Sequence, residues 1–303
     1  MIVHLEGITR RFGDIVAVDS LSLDVPPGVV YGLLGPNGAG KTTTLRILLG
    51  ILKPDAGEVK LMGEPVNVET LSRVGYLPEE RGLYPKEKVL EVLIYLGELK
   101  GLSSAEARTR ALSLLEEFGL KDRAGSKIEE LSKGMQQKLQ FISVLLHDPE
   151  LLILDEPFSG LDPINSELLR KRVMEERARG KTVIFSTHIL EQAEKMCDYV
   201  ALISRGRKVV DGKLSEIKAR YGKRTIKVEF EGEGDVIKEV PHSSLRLYER
   251  FAEIETDLDV NQVIKYLVDR VKIHKIERTE PSLSQIYITL VGGEGENLDN
   301  NQV

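Results

Sequence analysis

"GPNGAGKTTTL", residues 35–45, sets three glycines, a lysine and three threonines between two apolar runs. Upstream, "VVYGLL" at residues 29–34 is short, apolar and β-branched at its start, the composition of a buried strand. Downstream, "LRILLGIL" continues towards Pro54 without a β-branched cluster and reads as a helix packed into a core. The predicted order is strand, glycine turn, helix. Gly35, Gly40, Lys41 and Thr42 fit the pattern G-x-x-x-x-G-K-[ST] of the phosphate-binding loop, and Gly38 adds a third glycine. Glycine tolerates positive φ and lets backbone approach a ligand closely. Successive N–H groups can then form an anion nest, to which the helix N-terminus adds partial positive charge. Lys41 supplies a point charge for β- and γ-phosphates, and Thr42 a hydroxyl for Mg²⁺. A nucleotide is implied; its use is not.

The 303 residues suffice for one large or two modest domains. At 41% hydrophobic and 30% charged, the chain has the balance of a soluble protein able to fill a core. No run approaches the roughly 18 uninterrupted apolar residues of a spanning helix. The start "MIVHLEGITRRFG" lacks the basic and apolar regions of a signal peptide. A single cysteine, Cys197, excludes an intrachain disulfide framework and suits a reducing cytosol. The net charge of −6 leaves no electrostatic footprint for nucleic acid, so no nucleic-acid partner is expected. Five scattered histidines and one cysteine offer no metal-ligand spacing.

Working outward, "LSLDV" alternates Leu21, Leu23 and Val25 on one face, a half-buried antiparallel strand, and "GEVKLMG" is another short strand. From about residue 86 to 146 the pattern turns helical, with "KVLEVLIYLGELKGL" and "EARTRALSLLEEFGL" each ending near glycine. "LLILDE" and "KTVIFST" read as buried strands separated by the amphipathic helix "INSELLRKRVMEERARG". Strands alternating with helices predict an α/β fold with a mainly parallel sheet, an antiparallel β subdomain and a helical insertion. Beyond about residue 220, "TIKVEFEG", "VNQVIKYLVDRV", "KIHKIE" and "PSLSQIYITL" describe strand, helix, strand and short helix. The expected organisation is a nucleotide-binding domain at 1–220, a small α+β domain at 221–291 and a polar, disordered tail at 292–303. No catalytic constellation is visible in the second domain.

Asp155 and Glu156 close the strand "LLILDE". A carboxylate at the C-terminal end of a buried α/β strand faces the ligand crevice, where it can hold Mg²⁺. Glu156 is placed to orient and deprotonate an attacking water. "ELSKGMQQKLQF" has Ser132 at an N-cap position, then Gly134; alone it is a capped helix. "SGLDP" likewise offers Asp162 as an N-cap with proline at the first turn, and His188 after "VIFST" is equally a structural histidine.

Taken in order, the phosphate loop, "LSKGMQQ", "LLILDEP", "SGLDP" and "STH" closely resemble the nucleotide-binding subunit of ATP-binding cassette (ABC) transporters, over residues 1 to about 220. The resemblance implies a P-loop NTPase fold, ATP and Mg²⁺ as ligands, and ATP hydrolysis. It makes Gly35, Pro36, Asn37, Gly38, Ala39, Gly40, Lys41, Thr42 and Thr43 the Walker A loop around the phosphates. Asp155 becomes the Walker B metal ligand, Glu156 the catalytic base and His188 the switch histidine at the γ-phosphate. Ser132 and Gly134 belong to the signature motif, which reaches the nucleotide of a second subunit, and Asp162 to the dimer-contacting loop. Phe12, in "RRFG", matches the aromatic that stacks on adenine, although a core phenylalanine is a competing reading.

Two positions depart from the family pattern. The usual LSGGQ is "LSKGM" here, so Met135 replaces a glutamine. The glutamine-bearing loop reads "GYLPEERGLYP", with Glu79 at the glutamine position. Glutamate can bind Mg²⁺ but cannot donate a hydrogen bond to water. Such variants look like those of exporter-type subunits that work with a separate membrane-spanning partner, and the C-terminal unit resembles an extension some of those carry. The implied partners are that integral membrane subunit and a second ATPase chain, identical or a close paralogue, joined on ATP binding at the cytoplasmic face of the membrane. The alternative is a soluble ABC ATPase acting on DNA or ribosomes; against it stand a single cassette, no long heptad run and net negative charge. "RGLYP", residues 81–85, together with the start of the next helix, is the expected contact with the membrane partner, since it mixes Leu83, Tyr84 and an arginine, residue types enriched in interface cores.

Overall fold

A computed structural model of the chain describes residues 1–80, 82–221, 225–279 and 281–296. By contacts it divides into two compact units, Met1–Leu214 and Ser215–Val303. In the first, Val30–Leu34, Leu151–Asp155 and Thr182–Thr187 are buried at every position. Such strands are covered on both faces, which is why they read as continuous apolar runs. They belong to a six-stranded sheet in the order Arg207–Lys213, Tyr199–Ser204, Val30–Leu34, Thr182–Thr187, Leu151–Asp155, Val74–Leu77. Every neighbouring pair is parallel except the edge hairpin of Tyr199–Ser204 with Arg207–Lys213.

A second sheet pairs Ile15–Val25, Val3–Phe12, Ala56–Leu61 and Glu64–Pro65 antiparallel. Leu21, Leu23 and Val25 point into a core shared with Leu45, Leu48 and Ile153. The helical insertion, Val89–Leu99, Ser104–Glu117 and Lys133–Leu145, lies between strands Val74–Leu77 and Leu151–Asp155. Its second helix starts with a capping box in which Ser103 and Glu106 satisfy each other's backbone N–H groups.

The second unit holds four antiparallel strands in the order Ser244–Leu247, Phe251–Glu255, Thr225–Glu231, Lys272–Thr279. A 3₁₀ helix, Gly234–Glu239, follows the first strand, and helix Val260–Leu267 precedes the last. This is the order and connectivity of a split β-α-β fold, with a 3₁₀ segment in place of the first helix. Ile226, Val228 and Phe230 line its core with Ile237, Val263 and Leu267. The last helix, Leu283–Glu296, is longer than the short one expected after Pro281. It takes in 292–296 of the segment expected to be disordered, and 297–303 lie outside the described residues.

Candidate functional site

Strands Val30–Leu34, Thr182–Thr187, Leu151–Asp155 and Val74–Leu77 are neighbours and parallel, so their C-terminal ends share one edge of the sheet. The segments leaving that edge begin with Gly35, His188, Glu156 and Pro78. Four motifs far apart in sequence thus meet where an open α/β sheet binds its ligands.

The phosphate loop exposes Pro36, Asn37 and Gly38 and buries Ala39. Gly40, at φ 102°, precedes helix Lys41–Leu48. A Cβ there would lie 2.4 Å from the Ala17 carbonyl oxygen, so backbone contact leaves no room for a side chain. Thr44 donates from Oγ1 to the Gly40 carbonyl at 2.9 Å, while Thr42 and Thr43 remain half-buried at the first turn. The Lys41 side chain is only 6% exposed. It donates to the Gly35 carbonyl at 2.8 Å and the Pro36 carbonyl at 3.2 Å, and lies 3.5 Å from Glu156 Oε1.

Across the crevice, Asp155 is fully buried and accepts at Oδ1 from the Ser186 hydroxyl. Ser186 sits directly opposite Asp155 in the parallel pairing of their strands. The same serine accepts the Glu156 N–H at Oγ, 3.0 Å, and at its carbonyl, 3.2 Å. These bonds hold Glu156 at φ 47°, a left-handed conformation that costs a non-glycine residue about 1–3 kcal/mol and gathers at functional sites. The turn aims its carboxylate at the Lys41 ammonium and at the half-exposed His188, whose Nδ1 lies 3.0 Å away. Phe158 and Phe185 pack edge to face at 5.9 Å behind this corner. Burial, and then the charge of Asp155, push the Tyr76 hydroxyl above its ordinary range.

The residues fit a divalent cation. Asp155 Oδ2 is buried with no hydrogen-bond partner, and an unpaired carboxylate oxygen in that setting is costly unless a cation reaches it. The expected ligands, Asp155, the Thr42 hydroxyl and Glu79, all offer oxygen, as hard cations such as Mg²⁺ require.

Ser132 caps helix Lys133–Leu145 and accepts the Met135 N–H at 3.3 Å. Asp162 caps helix Pro163–Ala178 by accepting the Asn165 N–H at 2.9 Å. That bond, then one from the Asn165 side chain, holds the Asp162 carboxyl below the usual range. Asn165 also faces Gly134, where an added Cβ would come within 3.3 Å of its Nδ2. The signature start and the Asp162 loop therefore form a second cluster. Among the described residues, no hydrogen bond or ion pair joins Ser132, Gly134 or Asp162 to Lys41, Asp155, Glu156 or His188. Glu79 is exposed, just beyond strand Val74–Leu77. Phe12 is 45% exposed at the end of its hairpin, with the Arg10 guanidinium 4.9 Å from its ring centroid; it is not a core phenylalanine.

A model of the ABC transporter family matches residues 18–159, and a model of the C-terminal domain of DrrA1-3-like ATP-binding proteins matches 212–291. The chain is 44% identical over 293 residues to the uncharacterized ABC transporter ATP-binding protein YhaQ of Bacillus subtilis (strain 168), covering 95% of this chain and 98% of that protein. The chain belongs to the ABC transporter ATP-binding subunits. ABC ATP-binding domains are ATPases, and so is this chain. It is 42% identical over 219 residues to Nod factor export ATP-binding protein I of Cupriavidus metallidurans, covering 71% of this chain and 72% of that protein. Among solved structures, a dimeric ATP-binding cassette in a post-hydrolysis state, bound to ADP and Pi, matches with TM-score 0.64 at 27% identity, over 70% of this chain and 98% of that one. These relatives agree with the transporter reading and leave the DNA or ribosome alternative without support.

Three residues of this ABC ATPase escaped the sequence reading. Ser186 lay within "KTVIFST", read only as a buried strand. Gln137 and Gln140, both 4% exposed, are buried in the signature helix. A glutamine in an amphipathic run reads as solvent-facing, and no signal in the sequence corrects that.

Proposed function

We propose that ATP bound along the Walker A loop is hydrolysed with Glu156 as general base, in a site completed by a second chain. The observation that carries this is the meeting of Lys41, Asp155, Glu156 and His188 at one sheet edge, with an Asp155 oxygen buried and unpaired. Lys41 leaves the Gly35 and Pro36 carbonyls and the Glu156 carboxylate for the β- and γ-phosphates. Glu156, released from Lys41, takes a proton from the attacking water. The water oxygen bonds to the γ-phosphorus as the bond to the bridging oxygen breaks, and ADP leaves with that electron pair. His188 donates to the γ-phosphate and keeps the Glu156 carboxylate aligned. Phe12 offers its free ring face to adenine. Mg²⁺, held by Asp155, the Thr42 hydroxyl and Glu79, would draw charge from the β- and γ-phosphates.

Ser132 and Gly134, with Asp162 beside them, serve the nucleotide of the partner chain, so each site is shared. Closing and reopening of the pair drives a separate membrane-spanning subunit, with this chain on the cytoplasmic face. The resemblance to a Nod factor export protein supports export as the direction. Tyr84 and Tyr95, 51% and 46% exposed and 6.2 Å apart edge to face, frame a cavity of about 400 Å³ with Glu87, Glu91 and Val92. This is the proposed seat of the membrane partner. Arg81, included in the expected contact, lies outside the described residues. Residues 1–220 make the motor, and 221–291 an accessory domain.

Mixing two inactive chains tests the shared site. One carries Gly134→Asp, the other Lys41→Ala. In a mixed dimer, the intact phosphate loop of the first meets the intact signature of the second, which rebuilds one whole site. ATP-dependent association should partly return. Cross-linked heterodimers that recover neither association nor turnover would overturn the reading.

A further inference from the structure

Gln137 and Gln140 lie three residues apart on the signature helix, so they share a face. Their neighbours Leu139, Phe141 and Ile142 are fully buried. A glutamine in such surroundings loses water and needs a protein partner. Each has one, and the two partners are parallel in kind. Gln137 Nε2 donates to the Pro157 carbonyl at 3.3 Å, and Gln140 Nε2 donates to the Glu80 carbonyl at 3.2 Å. Pro157 directly follows Glu156, and Glu80 directly follows Glu79. One helix thus holds the residue next to each of the two acidic groups assigned above to base and metal. An apolar side chain of similar size would fill either position without a buried amide. Packing alone therefore does not account for the pair. Gln140 Oε1 is buried with no partner, so its amide makes a single tie to the loop rather than a closed network.

We infer that Gln137 and Gln140 are positioning residues that fix Glu156 and Glu79 relative to the signature helix of their own chain. This rests on the roles proposed for those two carboxylates. A nucleotide drawn to the N-terminus of the helix then sets the catalytic and metal-side loops of the opposite site together. The device links the two ATP sites of a dimer through hydrogen bonds inside each chain.

The test uses the purified full-length chain with Gln137→Met, Gln140→Met, Glu156→Gln and Glu79→Ala in parallel. Methionine keeps length and volume but removes the donor. Gln137→Met should lower kcat about tenfold with KM for ATP unchanged, because the base is displaced and not removed. Gln140→Met should raise the Mg²⁺ concentration for half-maximal activity about tenfold, as loss of a group supporting a metal ligand does. ATP affinity measured in excess chelator should stay at the wild-type value in both. A packing role alone would lower the melting temperature and leave both kinetic readouts in place. If either methionine variant fails to fold, Gln→Leu at the same position also removes the donor with a shorter apolar side chain and gives the same reading. Wild-type kcat and Mg²⁺ dependence in the glutamine variants, beside impaired carboxylate variants, would overturn this inference. Wild-type behaviour of Glu156→Gln and Glu79→Ala would instead overturn the roles of those carboxylates.

Discussion

Ser186→Ala removes one hydroxyl that serves both acidic residues of the site. It donates to Asp155 Oδ1 and accepts the Glu156 N–H at 3.0 Å. Ser186 and Asp155 are fully buried, so no water replaces the lost donor. A hydrogen bond to a charged acceptor contributes roughly 1.5–3 kcal/mol. The Glu156 N–H keeps its bond to the Ser186 carbonyl at 3.2 Å, so that half of the loss adds little. With Oδ2 already unpaired, neither oxygen of Asp155 would retain a donor. The expected loss of stability is about 2 kcal/mol, a factor of roughly 30 in the open population. The chain has no tryptophan and one cysteine, Cys197, in the first unit with its sulfur packed against Gly32. Cys197 is half-buried, so its thiol labelling is read under denaturant, where opening of the first unit and not local fluctuation exposes it. Labelling should accelerate about 30-fold in Ser186→Ala, and Mg²⁺ with ATP should recover part of the loss by supplying the missing positive partner. A change below about 0.5 kcal/mol would refute the assigned role of this hydroxyl.

Lys41→Ala should lose most ATP affinity and keep its fold; wild-type affinity on nucleotide titration would remove the phosphate-loop assignment. Gly40→Ala should impair both fold and nucleotide binding, because its Cβ would meet the Ala17 carbonyl at 2.4 Å; a soluble variant with normal melting and binding would contradict the packing described. Burial, then the charge of Lys100, push the His147 imidazole down to about 4, while its Nε2 lies 3.2 Å from the Val74 carbonyl. Between about pH 6.5 and 4 the unfolded chain binds a proton at His147 that the folded chain does not, so stability falls on acidification, by at most about 3 kcal/mol. His147→Gln keeps a donor for Val74 and should flatten that limb in unfolding curves at pH 7 and 4.5; an unchanged pH slope would exclude His147 as its source.

The site was legible where its chemistry is local. Gly35 to Thr42 needed only a strand before and a helix after, and both carry clear periodicity. Asp155 and Glu156 could be placed because "LLILDE" is a continuous apolar run that ends in acid. Ser186 was not legible, because its role depends on strand Thr182–Thr187 lying between Val30–Leu34 and Leu151–Asp155, a long-range order that no local pattern states. Phe12 needed the hairpin geometry to show an exposed ring where a core residue was the competing reading. The hairpin Tyr199–Ser204 with Arg207–Lys213 passed unread, although "YVALIS" is an apolar run of strand length. In the second unit, strands Ser244–Leu247 and Phe251–Glu255 span only four and five residues, too short for alternation to register.

ATP hydrolysis by Glu156→Gln, measured beside its ATP binding, tests the central claim most directly. The amide keeps the shape of the carboxylate but cannot accept the proton of water. The variant should bind ATP at least as well as wild type, since Lys41 loses its 3.5 Å acidic partner. Its turnover should fall by about 10²- to 10⁴-fold. Turnover within about threefold of wild type, with ATP bound normally, would mean that Glu156 is not the base.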